Sequence, residues 1–235
     1  MEVEFYCNDA REDFLQSESV DLFLVHPPYL NSHTQEYGGD LSKQIHNIQT
    51  KQEYLDSIVK STKSMDKALS KNGSILMIVG NNAMGIKVIS ALEQRSGLFL
   101  EKILIWNFDD PLSKMPGESS ALIIHMTKKI SKTVTGQGNY IIDLPWNPET
   151  EDVLKYGQLG FVMGTYPLSL AKVLIEDFSL PGDTVADIYG GTGTCAVASI
   201  ELGRKSIYND ISVEQAQIAK SRINDILELK RTHGR

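Results

Sequence analysis

Asp187-Ile188-Tyr189-Gly190-Gly191-Thr192-Gly193-Thr194 is the stretch whose reading decides the fold. It follows a short apolar run, Thr184–Asp187, and opens a helical pattern over Thr194–Leu202. A second apolar run, Ser206–Tyr208, then leads to Asp210, 17 residues after Gly193. Strand, glycine turn, helix, strand and terminal acid make up a nucleotide-binding βαβ unit. The glycines let backbone approach a ligand closely, and Asp210 can hydrogen-bond both ribose hydroxyls. Charge selects among ligands. Asp187 stands at the strand end, where a dinucleotide would place its pyrophosphate and be repelled. No Gly-Lys-Ser/Thr follows the loop, so a phosphate-cradling P-loop is excluded. S-adenosylmethionine brings an ammonium and a sulfonium in place of phosphate, and a carboxylate favours both.

Outward from this unit, apolar runs alternate with helical patterns, as in an α/β fold. Strands are expected over Val20–Val25, Ser74–Val79, Leu98–Trp106 and Ala121–Met126, with a weaker one at Val3–Tyr6. Helices are expected over Lys51–Leu69, Ala83–Gln94, Leu168–Phe178 and Val213–Lys230. Asn72-Gly73 and Pro181-Gly182 read as turns delivering the chain into strands. Thr127–Met163, punctuated by glycine and proline, reads as an excursion from the sheet. The run from Lys230 to Arg235 reads as a frayed tail.

The chain has 235 residues, 41% of them hydrophobic, which suits one soluble domain. A net charge of −7 argues against sequence-blind coating of nucleic acid. No apolar run approaches a membrane span of roughly 18 residues. Met1-Glu2-Val3-Glu4-Phe5 lacks the basic-then-apolar pattern of a signal peptide. Two cysteines, Cys7 and Cys195, cannot build a disulfide framework, so a cytoplasmic setting is expected. Cys195 reads as a packed small hydrophobe.

The strand Val20–Val25 runs straight into His26-Pro27-Pro28-Tyr29. Two prolines hold this backbone extended and remove two amide donors, while their carbonyls stay able to accept. An aromatic ring follows at once. The arrangement suits a flat ligand bearing an amino group, hydrogen-bonded by a carbonyl and His26 and stacked on Tyr29.

At these residues the chain resembles the amino-methyltransferases of DNA, whose catalytic tetrapeptide is Asp, Asn or Ser followed by Pro-Pro-Tyr. Their cofactor motif is similar to Asp187–Thr194. Asn8-Asp9-Ala10, Trp106-Asn107, Met115-Pro116, Tyr166-Pro167-Leu168, Gly203-Arg204-Lys205 and the segment from Asp210 to Ile223 resemble further family stretches. The tetrapeptide precedes the cofactor motif, as in the permuted β-type members. The first tetrapeptide position here is His26, a departure from the family pattern. The resemblance implies a Rossmann-like, S-adenosylmethionine-dependent methyltransferase fold: a mostly parallel seven-stranded sheet with helices on both faces. It implies a single domain with a catalytic half (1–126), a short target-recognition insert (127–163) and a cofactor-binding half (164–235). It places catalysis on His26, Pro27, Pro28 and Tyr29. It places cofactor binding on Asp9, Tyr166, Pro167, Asp187, Tyr189, Gly190, Gly191, Thr192, Gly193, Thr194 and Asp210, and it implies no metal.

The implied reaction is methyl transfer to the exocyclic amine of a flipped base in DNA. Tyr37-Gly38-Gly39-Asp40 and Tyr166-Pro167 lean toward cytosine N4 over adenine N6. Lys114, Lys128, Lys129, Lys132, Gln137, Asn139, Trp146 and Asn147 are candidate DNA contacts. An insert this short suggests a short or relaxed recognition site, or a homodimer that pools two inserts. A specificity or restriction partner is the other assembly expected. A cofactor-binding but inactive subunit and an RNA methyltransferase are the rival readings; a dehydrogenase is opposed by Asp187.

Overall fold

A computed structural model describes residues 2–30, 48, 50–108, 119–129, 141–144 and 166–233. Tyr37–Asp40, Lys114, Met115-Pro116, Lys132, Gln137, Asn139, Trp146 and Asn147 lie outside these described residues. The strands are β1 (Val3–Tyr6), β2 (Val20–Val25), β3 (Leu69–Gly80), β4 (Phe99–Asn107), β5 (Ser120–Thr127), β6 (Ile141–Asp143), β7 (Thr184–Asp187) and β8 (Lys205–Asn209). The helices are α1 (Lys51–Ala68), α2 (Ala83–Arg95), α3 (Leu168–Phe178), α4 (Thr194–Glu201) and α5 (Val213–His233). They form one sheet in the order β1-β8-β7-β2-β3-β5-β4-β6. Pairings are parallel except those of β5, which runs against both β3 and β4.

β2 sits centrally because it is apolar on both sides. Phe23 and Val25 pack with Ile75, Met77 and Val79 under α1 and α2. Leu22 and Leu24 pack with Leu76 and Ile78 under α3 and α4. Helices therefore cover both faces. A strand buried on both sides gains little register from alternation. Asp21, the sole polar residue of β2, supplies a peg: its Oδ2 accepts from the Thr184 N–H at 3.0 Å, at the start of β7. On the second face, α5 lays Ala216, Ala219 and Ile223 against Ala196, Val197 and Ile200 of α4.

Three expectations are corrected. The sheet has eight strands, not seven. The eighth is β6, inside what reads as an excursion; it adds parallel to β4, with Ile105, Trp106 and Asn107 opposite Ile141, Ile142 and Asp143. The Asn72-Gly73 turn lies within β3 as a bulge: Val20 pairs with Leu69 and Leu22 already with Ser74, so residues 70–73 stand against Asp21 alone. Gly73 fits there because a Cβ would stand 2.8 Å from the Asp21 carbonyl oxygen. Finally, α5 runs on to His233, beyond Lys230.

The topology places a crevice. From β7 the chain crosses by α4 to β8 on one side; from β2 it crosses by α1 to β3 on the other, over the opposite face. The carboxyl ends of β2 and β7 therefore flank a switch point, where α/β sheets bind ligands.

Candidate active site

On the β7 side, the glycine loop is held from several directions. The Gly190 N–H donates to the Asn209 carbonyl and the Gly193 N–H to the Gly190 carbonyl, both at 2.8 Å. The Gly191 N–H donates to Asp210 Oδ2 at 2.8 Å, and the Tyr208 hydroxyl donates to the Gly191 carbonyl at 2.7 Å. Arg222 reaches from α5 to the Thr192 carbonyl and Thr194 Oγ1. Gly190 lies flat on Tyr208: a Cβ would come within 2.4 Å of its ring. Gly193 has φ +88°, a left-handed conformation that turns the chain into α4.

Asp187 ends β7 buried, with 3% of its surface exposed. Its Oδ1 accepts from the Tyr189 N–H at 3.0 Å, and among the described residues no cation pairs with it. Burial pushes its carboxyl up to about 8; the Tyr189 bond opposes this and nearby Asp210 adds to it. Asp210 is also raised by burial, against the bonds it accepts from Ser212 and Gly191. It thus braces the loop.

Asn209, fully buried, was not among the expected site residues. Its Nδ2 donates to the Asn8 and Ile188 carbonyls at 3.0 Å, and its Oδ1 accepts from the Asn8 N–H at 2.8 Å. It staples the ends of β1, β7 and β8 together. A polar residue closing the apolar run Ser206–Tyr208 was its only signal. Asp9, beside Asn8, is held bidentately by Arg11, with Nε to Oδ1 at 2.8 Å and Nη2 to Oδ2 at 2.5 Å. Burial works upward on the Asp9 carboxyl, but the Arg11 bonds outweigh it and keep the carboxyl below its ordinary range. Cys195 is buried among Leu170, Leu174 and Ala198, the expected packing role.

On the β2 side, His26 Nε2 lies 2.9 Å from the Tyr29 hydroxyl, with the rings edge-on at 5.2 Å. Tyr166, which precedes α3 with Pro167 as its N-cap, stands edge-on to His26 at 5.9 Å. The Tyr166 hydroxyl is buried close to the Asp187 carboxyl and the Cys195 thiol, so Tyr166 spans the two motifs. Of the two proline carbonyls expected to be open, that of Pro28 accepts from the Tyr54 hydroxyl of α1 at 3.2 Å.

Two of the lysines named as candidate DNA contacts fall within the described residues. β5 is antiparallel, so Lys128 and Lys129 follow its end at the amino edge of the parallel strands, opposite His26. Lys128 faces Asp66 of α1 at 3.9 Å.

A family model described as DNA methylase matches residues 20–156 and 146–221. DNA adenine methyltransferase YhdJ of Escherichia coli (strain K12) is 22% identical over 239 residues, covering 89% of this chain and 78% of that protein. Among solved structures, PvuII DNA methyltransferase (cytosine-N4-specific) superposes with a TM-score of 0.76 at 18% identity, covering 96% of this chain and 91% of that one. The M1.HpyAVI–SAM complex superposes with a TM-score of 0.66 at 19% identity, covering 94% and 99%.

Proposed function

The chain belongs to the DNA methylase family, and from that premise we propose that it methylates an exocyclic base amine of DNA at the crevice between β2 and β7, with His26 accepting from the amine. The observation that carries this is Asp187: a buried carboxyl with no paired cation among the described residues, at a switch point, beside a preformed glycine cradle. It fits a cationic, phosphate-free ligand, and S-adenosylmethionine is the cofactor. Asp187 faces its ammonium end, Asp210 its ribose, and residues 189–194 its length; Tyr166 and Pro167 close the side toward His26. Asp9, already engaged by Arg11, shapes the rim. When bound, this cofactor supplies an electrophilic methyl group on a cationic sulfur.

The base amine is a poor nucleophile because its lone pair is conjugated into the ring. Within a duplex it is also out of reach, so the base must leave the stack at a cost of a few kcal/mol. The Pro27 carbonyl and His26 accept its two hydrogens and localise the lone pair, while the Tyr29 ring takes a face of the base. His26 can accept at Nδ1 only in the tautomer whose proton sits on Nε2 and is donated to the Tyr29 oxygen. Positioning of this kind supplies most of the rate. Tyr166-Pro167 favours cytosine N4 over adenine N6, and residues 127–163 are the target-recognition insert of an otherwise single domain.

The test is methylation of plasmid DNA with labelled cofactor, digestion to nucleosides and identification of the modified base by mass. His26→Ala should slow single-turnover transfer about thirtyfold, the equivalent of roughly 2 kcal/mol. The parent rate should fall with one proton as pH drops through the imidazole range, since a protonated ring cannot accept. His26→Asn keeps an acceptor and should flatten that profile. A His26→Ala protein as fast as the parent at every pH would refute the role of His26.

A further inference from the structure

Two buried hydroxyls, one from the helix and one from the cofactor loop, tie both loops to a single helix. Tyr54 of α1, 2% exposed, donates to the Pro28 carbonyl at 3.2 Å. Tyr189, from the glycine loop, donates to Ser61 Oγ of α1 at 2.7 Å, and Ser61 donates on to the Ile58 carbonyl at 2.9 Å. Tyr54 and Ser61 are seven residues apart, so they lie on one stripe of the helix about 10 Å apart along its axis. Phenylalanine at 54 or 189 would bury the same apolar surface without a hydroxyl to satisfy. A buried tyrosine needs a partner for its hydroxyl, and here the hydrogen bonds link α1 to both loops. The helix is stiff enough for the purpose. Thr50 caps it, accepting from the Glu53 N–H at 3.1 Å, and Tyr54, Ile58 and Met65 bury one face in the core.

Proline geometry explains what the Tyr54 bond adds. The pyrrolidine ring fixes φ of Pro28 but leaves its ψ soft. That ψ sets the plane of the next peptide, hence both where the Pro28 carbonyl points and where Tyr29 goes. Holding the carbonyl therefore holds Tyr29, whose hydroxyl meets His26 Nε2 at 2.9 Å. Burial pushes the Tyr54 hydroxyl up to about 12, so it stays a donor across the working pH range.

We infer that α1 is a strut that sets the spacing between tetrapeptide and cofactor loop, with Tyr54 a positioning residue for Tyr29 and His26. The inference rests on the methylation reading above. The experiment uses the full chain and compares the parent, Tyr54→Phe, Tyr189→Phe and the double variant. It measures single-turnover methylation, calorimetric affinity for S-adenosylmethionine and thermal unfolding. Tyr54→Phe should slow transfer about tenfold and leave cofactor affinity within about twofold of the parent. Tyr189→Phe should weaken cofactor affinity and, at saturating cofactor, also slow transfer, because it releases the other end of the strut. The double variant should lose less rate than the product of the two single losses, because both break one spacing. A merely structural Tyr54 would lower the unfolding temperature and leave the rate of the folded protein unchanged, and that result overturns the strut. So does a double variant whose loss equals the product. A parent that fails to methylate DNA overturns the functional reading and this inference with it. An active parent with a fully active Tyr54→Phe variant overturns this inference alone.

Discussion

The glycine loop, residues 189–193, and the tetrapeptide His26–Tyr29 follow neighbouring parallel strands, yet they are held by different means. The loop is gripped by Asn209, Asp210, Tyr208 and Arg222, from β8, its following turn and α5. Among the described residues the tetrapeptide is held by proline φ, by the Tyr54 bond, by the contact between its own ends and by the Tyr166 ring beside His26. A loop that must cradle a cofactor profits from being built in advance, since ordering it on binding would cost affinity. A segment that must admit a base from outside the duplex needs its polar groups ready and its surroundings accessible.

The largest effect expected from this contrast is at Asp187. Burial raises its carboxyl from 3.8 to about 8. Between those values the folded chain keeps a proton that the unfolded chain has lost, so stability falls as pH rises across the window. At about 1.4 kcal/mol per unit the loss is on the order of 5 kcal/mol by pH 8. A cationic ligand favours the ionised form, so binding should release a proton below pH 8. Affinity for S-adenosylmethionine should climb nearly tenfold per pH unit toward that value. Asp187→Asn should melt higher than the parent at pH 8 without cofactor, and bind cofactor at least thirtyfold more weakly. Calorimetry in two buffers of different ionisation heat reads the proton. A pH-independent affinity would break the assignment.

The next effect comes from β5, on the other side of β2 from β7, and serves as its counterpart. His125 of β5 is buried, with Nε2 2.9 Å from Ser74 Oγ and Nδ1 without a partner among the described residues. Burial, aided by Lys102 and opposed by Glu101, pushes it down to about 4. The unfolded chain therefore takes up a proton first, and stability falls by about 3 kcal/mol as pH drops from about 6.5 to 4. In that range the two groups have opposite slopes and offset each other; above pH 6.5 the His125 contribution ends and the decline from Asp187 continues. Denaturant titrations without cofactor should show these contributions as a plateau and then a decline. His125→Leu should turn the plateau into a continuous decline from pH 4 to 8, and Asp187→Asn should turn it into a rise. His125→Leu should leave methylation at pH 8 unchanged, because β5 places this residue away from the crevice. Slowed methylation in the folded variant would mean that β5 and the crevice are coupled.

The same contrast explains what the sequence made legible. Local rules were enough for strands with dense apolar runs, for the helices, and for the glycine loop with its two acids, because strand, turn and helix signals there are contiguous. β6 escaped because three residues carry no period, and Ile141 is 48% exposed. Asn209, Arg11 and Ser61 escaped for a different reason. Asn209 meets Asn8 across 201 residues of sequence and Ser61 meets Tyr189 across 128, and such contacts leave no local pattern. Arg11 was close at hand beside Asp9, but its pairing depends on the turn that follows β1. The position of Lys128 and Lys129 at the amino end of the parallel strands was not legible, because the reversed direction of β5 cannot be read from an apolar run.

The smallest effect is the most specific, and it concerns the bond between His26 and Tyr29. If Tyr29 accepts from the Nε2–H, it selects the tautomer that leaves Nδ1 for the amine. Tyr29→Phe would then keep the aromatic face and lose the selection, slowing single-turnover transfer about three- to fivefold. The Tyr29 oxygen would also favour the protonated ring, which donates the same Nε2–H. Removing it should therefore move the acid limb of the rate profile to lower pH by a few tenths of a unit. If instead Tyr29 donates to Nε2, it blocks the acceptor, and Tyr29→Phe should methylate faster than the parent. An unchanged rate and an unchanged acid limb would show that the hydroxyl takes no part. A slower rate with the limb moved down would place the accepting lone pair on Nδ1. It would also explain how an imidazole, which brings an N–H wherever it brings a lone pair, can stand where the family has Asp, Asn or Ser.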